Sequence, residues 1–179
     1  MTTTTSIESP LRTSHHGKYI TFVLGNESYG ILALKVREII RLTQITAIPQ
    51  VPGYIKGVIN LRGKIIPVLD LRARFGLPET AATTRSCIIV VQIQGAGSGK
   101  LFLGLIVDAV EEVANITSSD LEPAPDFGAH VDTTFILGMA KIKGAVKTLL
   151  DIDQLLSDAA ILAITRAKGA AAQKTTLQP

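Results

Sequence analysis

The sequence has no tryptophan, and aromatic residues fill only 4% of its 179 positions. Any core must therefore be built from Ile, Val, Leu and Ala, and the hydrophobic content of 46% is ample for that. A single cysteine, Cys87, excludes an internal disulfide and a zinc site made of cysteines, in keeping with a reducing compartment. Its setting, SCIIVVQIQ, reads as a small core residue rather than a nucleophile. The opening MTTTTSIESP shows no charged segment followed by an apolar run. No stretch reaches the roughly 18 apolar residues of a membrane-crossing helix. A soluble, cytoplasmic chain is expected.

Catalytic constellations are equally scarce. Of the three histidines, His15 and His16 lie in a Thr/Ser-rich start, and His130 lies in the stretch EPAPDFGAHVD. Glu111 and Glu112 are adjacent and would point to opposite faces of a regular strand, so they form no acid/base pair. Asp151 and Asp153 read as a helix cap and a solvated carboxylate rather than metal ligands. The run GAGSGKL invites a nucleotide reading. A phosphate loop, however, needs glycine where Gln94 stands and Ser or Thr where Leu101 stands. A strand follows it, so there is no helix N-terminus to meet a phosphate. A hairpin turn is expected there, and no enzyme, metal site or cofactor.

What is present is an uneven charge and a repeat. From Lys35 to Arg74 eight basic residues face Glu38 and Asp70, a balance of +6. From Phe75 to Ala160 five basic residues face eleven acidic ones, a balance of −6. Such a split fits a head-to-tail binder, or solvated faces that simply differ. A 74-residue shift places Gly30, Val36, Glu38 and Ile39 on Gly104, Val110, Glu112 and Val113. An 81-residue shift places Leu61, Gly63, Leu69, Asp70 and Leu71 on Ile142, Gly144, Leu150, Asp151 and Ile152. The second copy carries the extra residues, read as an insertion in EPAPDFGAHVD.

Each copy reads as short strands joined by tight turns. KYITFVL and YGILA flank the turn GNES; LKVREII is a helical turn or an irregular strand; ITAIP is a short strand stopped by Pro49 and Pro52. GVINLR and KIIPVLDL form a hairpin bent at Gly63, with Pro67 at an edge or bulge. The segment DIDQLLSDAAILAITRA reads as a helix capped by Asp151 or Asp153, with Ile152, Leu155, Leu156 and Ala159 on one face. The expected fold is all-β: two five-stranded SH3-like barrels sharing an apolar core, plus a C-terminal α-helix. The expected order is a flexible arm at 1–17 and one domain at 18–157. Its first barrel is placed at about 18–80 and its second at about 85–152. A C-terminal helix and frayed tail fill 153–179.

The hairpin YIKGVINLRGKIIPVLDL carries three cations among apolar residues. Alternation sends Val58, Asn60 and Arg62 to one side and Ile59 and Leu61 to the other. A guanidinium and an amide beside an apolar residue suit the gripping of a partner. The alternative is that Arg62 merely pairs with Asp70 across the hairpin.

The runs YGILALKVREI and PQVPGYIKGVINLRGKIIPVLDLRARFG, with LFLGLIVDAVEEV and KTLLDIDQLL, resemble the family of bacterial chemotaxis coupling proteins, CheW, over roughly Lys18 to Leu156. The resemblance implies two SH3-like barrels around a shared core and a non-catalytic scaffold. Such a scaffold joins the cytoplasmic tips of transmembrane chemoreceptors to the histidine kinase CheA at the inner face of the membrane. By position, it implies receptor contacts at Lys56, Gly57, Asn60 and Arg62, where Gly57 would admit a close helix. It implies kinase contacts at Val36, Glu38 and Ile39, and pseudo-symmetric end-to-end contacts that close into rings. A small-barrel nucleic-acid binder is the alternative. It lacks an aromatic platform for bases, and an acidic second half would repel the phosphates.

Overall fold

The computed structural model describes residues 15–94, 99–125 and 134–155. The expectations for His130, for turn residues 95–98, for the arm before His15 and for the helix beyond Leu155 lie outside these residues.

Eleven strands and two single-turn helices are described. Strands β1 (Gly17–Leu24) and β2 (Glu27–Leu32) form a hairpin. A 3-10 turn at Ala33–Lys35 leads into β3 (Val36–Arg41), so LKVREII is both a helical turn and an irregular strand. Next come β4 (Ile55–Leu61), β5 (Lys64–Asp70) and α1 (Leu71–Arg74). The second half holds β6 (Cys87–Gln94), β7 (Lys100–Val107), β8 (Ala109–Ile116), β9 (Leu121–Glu122), β10 (Ile136–Ile142), β11 (Ala145–Leu150) and α2 (Ile152–Leu155). ITAIP is no named strand; it contributes a single bridge, Thr46 to Val58.

The strands form two sheets, ordered β8-β1-β2-β11-β10-β9 and β3-β6-β7-β5-β4. The all-β fold with two SH3-like units holds, with six and five strands. The expected split at about residue 80 does not. Hairpin β1–β2 sits in the sheet of β8 to β11, and hairpin β6–β7 sits in the sheet of β3 to β5. Parallel pairings attach each exchanged hairpin: Tyr29 and Gly30 to Thr148 and Leu149, and Val68 to Asp70 against Gly104 to Ile106. The repeat survives the exchange, since each pairing maps onto the other under the 74- and 81-residue shifts. A hairpin forms locally and presents two edges, so it can pair with either half at no cost in turn geometry.

Apolar side chains follow from this layout. The middle of strand β6 is buried on both faces, which is why IIVV at 88–91 is continuously apolar rather than alternating. Ile88 and Val90 point into a core inside the five-stranded unit, with Ile59, Ile66 and Val68. Ile89, Val91 and Ile93 point the other way, into a central core of sixteen buried residues drawn from both sheets. Tyr19, Ala114, Ile116, Ala140 and Leu149 fill the six-stranded unit. Each fully buried Ile, Leu or Val contributes about 1.5–3 kcal/mol, so the central core holds the two units as one body.

Two further ties cross between the units. Arg72 of α1 meets Asp108 at 2.5 Å, and the same carboxylate accepts from the Gly25 N–H in the β1–β2 turn. Under the repeat, Asp153 of α2 replaces Arg72, and it meets Lys35 at 2.7 Å and accepts from the Gln94 N–H in the opposite hairpin. Asp70 and Asp151, also matched, cap α1 and α2 by accepting backbone N–H groups two residues on. Asp151 is therefore the cap and Asp153 an ion-pair partner.

Closure of the five-stranded unit depends on Gly57. It has φ 144°, and a Cβ there would lie 1.9 Å from the carbonyl oxygen of Thr46. Val58 exchanges both backbone hydrogen bonds with Thr46, at 2.9 Å each, so its neighbour Pro67 is asked for none. Gly57→Ala should push the bridge open and cost roughly 2 kcal/mol or more in urea unfolding. Gly53→Ala, beside it in open space, should leave the midpoint unchanged. Equal midpoints for both variants would show that the bridge does not close the barrel.

Candidate functional site

Arg62 and Gly63 form the β4–β5 turn, with φ 52° and 86°. The left-handed geometry at both centres is that of a type I′ hairpin, and Asn60 steadies it by accepting the Gly63 N–H on Oδ1 at 2.9 Å. Asn60 and Arg62 are exposed and Ile59 lies within, as alternation requires. Val58 does not join the exposed side. It is only 7% exposed because the Thr46 bridge covers it.

Arg62 does not pair with Asp70. Its guanidinium donates to Glu38 Oε2 at 2.7 Å, across the mouth of the five-stranded unit. Asp70 instead faces Lys56 at 4.0 Å and caps α1. Two residues expected at different contacts, Arg62 and Glu38, are thus joined in one surface. Glu38 Oε1 is buried without a hydrogen-bond partner, and Ile39 beside it is 43% exposed. A β-bulge between Val36 and Glu38 turns this edge, so Val36 faces the central core while Glu38 reaches the turn.

The remaining candidates lie elsewhere. Lys56 and Gly57 sit at the far end of β4, roughly 20 Å from Arg62 at the usual rise per strand residue. What approaches Gly57 closely is the chain's own Thr46. Lys56 lines a separate depression with Asp70, Arg72 and the 79–82 stretch. The seven candidates therefore divide into a mouth group (Glu38, Asn60, Arg62), a far-end group (Lys56, Gly57), the core-facing Val36, and Ile39, exposed next to Glu38 on the edge strand β3.

The mouth itself is a groove of about 470 Å³ to which all five strands contribute. Leu61, Ile66, Val90 and Phe102 give it an apolar floor, and Arg37, Arg62, Lys64 and Lys100 stand around it with Glu38 and Gln92. Arg37 hydrogen-bonds the Gln92 amide, and Lys64 lies 5.5 Å from the Phe102 ring centroid. The three residues Arg37, Lys64 and Lys100 were not singled out from the sequence. Arg37 and Lys64 belong to the positive balance of the first half, whereas Lys100 comes from the acidic half and reaches the mouth only through the hairpin exchange.

The repeat places a second mouth on the six-stranded unit, where Lys143 and Gly144 form the same turn and Lys143 meets Glu112 at 3.3 Å. The expectation that Glu111 and Glu112 diverge is corrected here. The β8 register skips Glu111, and both carboxylates converge on Lys147 Nζ at 3.5 Å. Hydrogen bonding to Lys143, then its charge, holds the Glu112 carboxyl below its ordinary range. Burial pushes the Cys87 thiol up, which agrees with a structural cysteine.

Arg62 exposes 77% of its side chain, so its ion pair is well screened. Arg62→Ala should lower the unfolding free energy by less than about 1 kcal/mol, read from urea denaturation. A substantially larger loss would make the pair a fold element rather than part of a docking surface.

With the geometry in hand, comparison with known proteins places the chain. A family model described as the CheW-like domain matches residues 18–160. The chemotaxis protein CheW of Klebsiella aerogenes is 37% identical over 140 residues, covering 78% of this chain and 81% of that protein. The chemotaxis protein CheW of Rhizobium meliloti is 34% identical over 136 residues, covering 76% and 84%. The crystal structure of the scaffolding protein TtCheW from Thermoanaerobacter tengcongensis superposes with a TM-score of 0.70 at 39% identity, covering 81% of this chain and 95% of that one. On the family match, the shared two-unit fold and the identity along both repeats, the chain belongs to the CheW-like domain family.

Proposed function

We propose that this chain is a non-catalytic adaptor that joins the cytoplasmic tips of chemoreceptors to the histidine kinase CheA in chemotaxis signalling. The observation that carries this reading is the family match across 18–160, which spans both repeats and every strand. The geometry adds support. Arg62 and Glu38 form one exposed polar contact beside the exposed Ile39, a combination suited to a protein partner. Asn60 and Arg62 offer hydrogen-bond groups to a receptor, and Glu38 and Ile39 offer an edge to the kinase. Lys56 and Gly57 would meet the receptor only if it also reaches the far end of β4. End-to-end contacts with a paralogous kinase domain would close into rings. Among the described residues no helix is long and apolar enough to cross a membrane, so the adaptor would reach the inner face through its receptors.

The alternative of nucleic-acid binding has a single half-buried ring, Phe102, at the cationic groove, too little for a stacking platform. Phe22, Tyr29, Phe75 and Phe135 stack in series, with centroids 5.4 to 5.9 Å apart, against the central core. They present no platform for bases.

Signal transfer would follow from a change of angle between the units, because a packed central core shifts between arrangements rather than deforming continuously. An unchanged angle with and without receptor would remove that mechanism.

Co-sedimentation with receptor-containing membranes, with and without CheA, tests the adaptor role. Wild type should pellet and carry the kinase with it, and Arg62→Ala should pellet several-fold less while remaining folded. Wild type left in the supernatant with both partners present would overturn the reading.

A further inference from the structure

We propose that the mouth of the five-stranded unit binds an acidic amphipathic protein segment, one aliphatic side chain flanked by carboxylates. The proposal deepens the adaptor reading and rests on it, because it specifies the chemistry of a partner at the Arg62–Glu38 surface.

Charge is the first argument. Four cationic side chains face one carboxylate around the groove. Arg62 is matched by Glu38, but Arg37 is matched only by a neutral amide. Among the described residues neither Lys64 nor Lys100 takes part in an ion pair. The groove therefore keeps an excess of positive charge that no described residue neutralises. Its floor is apolar, so a ligand satisfying both needs an apolar side chain below and anions above.

The second argument is an internal control. The repeat gives the same mouth on the six-stranded unit, built on the same bulge and the same turn. There the floor is replaced. Lys147 stands where Ile66 stands, Thr21 where Val90 stands, and Ser28 where Phe102 stands, as the matched registers require. Glu111 takes the place of Arg37. Lys147 is only 5% exposed and bridges Glu111 and Glu112, so that mouth is plugged and neutralised from within. One scaffold thus carries one self-satisfied mouth and one left open. A buried cation needs partners, and the mouth of the six-stranded unit provides them for Lys147. A phosphate polyanion would use the cations but leave the apolar floor unused, so a peptide is the better match.

The test is titration of the isotope-labelled full chain by NMR at low ionic strength, where such pairs are least screened. The probe is a synthetic peptide with one Leu flanked on each side by two Glu; the controls are the same peptide with Lys for Glu and an oligothymidylate of equal negative charge. Amide shifts should move around Ile66, Val90 and Phe102 and not around Lys147. The Lys peptide and the oligonucleotide should bind at least about tenfold more weakly. The double variant Lys64→Glu/Lys100→Glu, exposed at both positions, should lose about tenfold in affinity, and Lys147→Met should lose none. Equal binding of the two peptides, tighter binding of the oligonucleotide, shifts at the Lys147 mouth, or an unaffected double variant would each overturn the proposal. If the peptide fails while wild type still sediments with receptors and Arg62→Ala pellets several-fold less, only the ligand chemistry falls. If the peptide binds while wild type does not sediment with receptors, it is the adaptor reading that falls.

Discussion

Two short parallel pairings hold this molecule in its shape. One joins Tyr29 and Gly30 to Thr148 and Leu149, and the other joins Val68 to Asp70 with Gly104 to Ile106. Through them each half of the chain lends a hairpin to the other, so neither unit is complete without residues from both ends of the sequence. Parallel pairing needs a long connection, and here the rest of each repeat supplies it. The exchange also explains the burial. Strands β6 and β7 face a unit core on one side and the central core on the other, and only their ends near the mouth reach solvent.

The two mouths inherit their backbone from that arrangement and their chemistry from substitution. Bulge, turn and bridge recur in both, down to the cation at the turn meeting the glutamate after the bulge. What differs is a handful of side chains at matched positions. A lysine replaces an isoleucine, a glutamate an arginine, and a serine a phenylalanine. The result is a neutral plug at one end and a cationic, apolar-floored groove at the other. For an adaptor this asymmetry matters, because a symmetric body with two alike ends could not tell one partner from another.

Coupling between ends has a physical route in the same frame. The central core, the Arg72–Asp108 tie and its charge-inverted counterpart Lys35–Asp153 all span the two units. Both ties also fix one end of a hairpin of one unit, at Gly25 and at Gln94, to the capping helix of the other. A partner that altered one unit's set would therefore act on a packed interface rather than on a flexible joint.

Much was legible without coordinates. The apolar run around Cys87 marked core, Gly63 marked a turn that tolerates positive φ, and the repeat, which carries Gly63 onto Gly144, marked two related units. Asp151 was legible as a helix cap, while the matching cap at Asp70 came only with the coordinates. These are local or periodic features, fixed by sterics and by burial of apolar surface. Tertiary structure alone decided which half completes which unit, because a hairpin's edges carry no address until a second edge is presented. It also decided that Arg62 meets Glu38 rather than Asp70, that Thr46 fills the space at Gly57, and that a bulge brings Glu111 and Glu112 onto Lys147. Each of those depends on where strands distant in sequence come to rest, and side-chain order along one strand does not encode that.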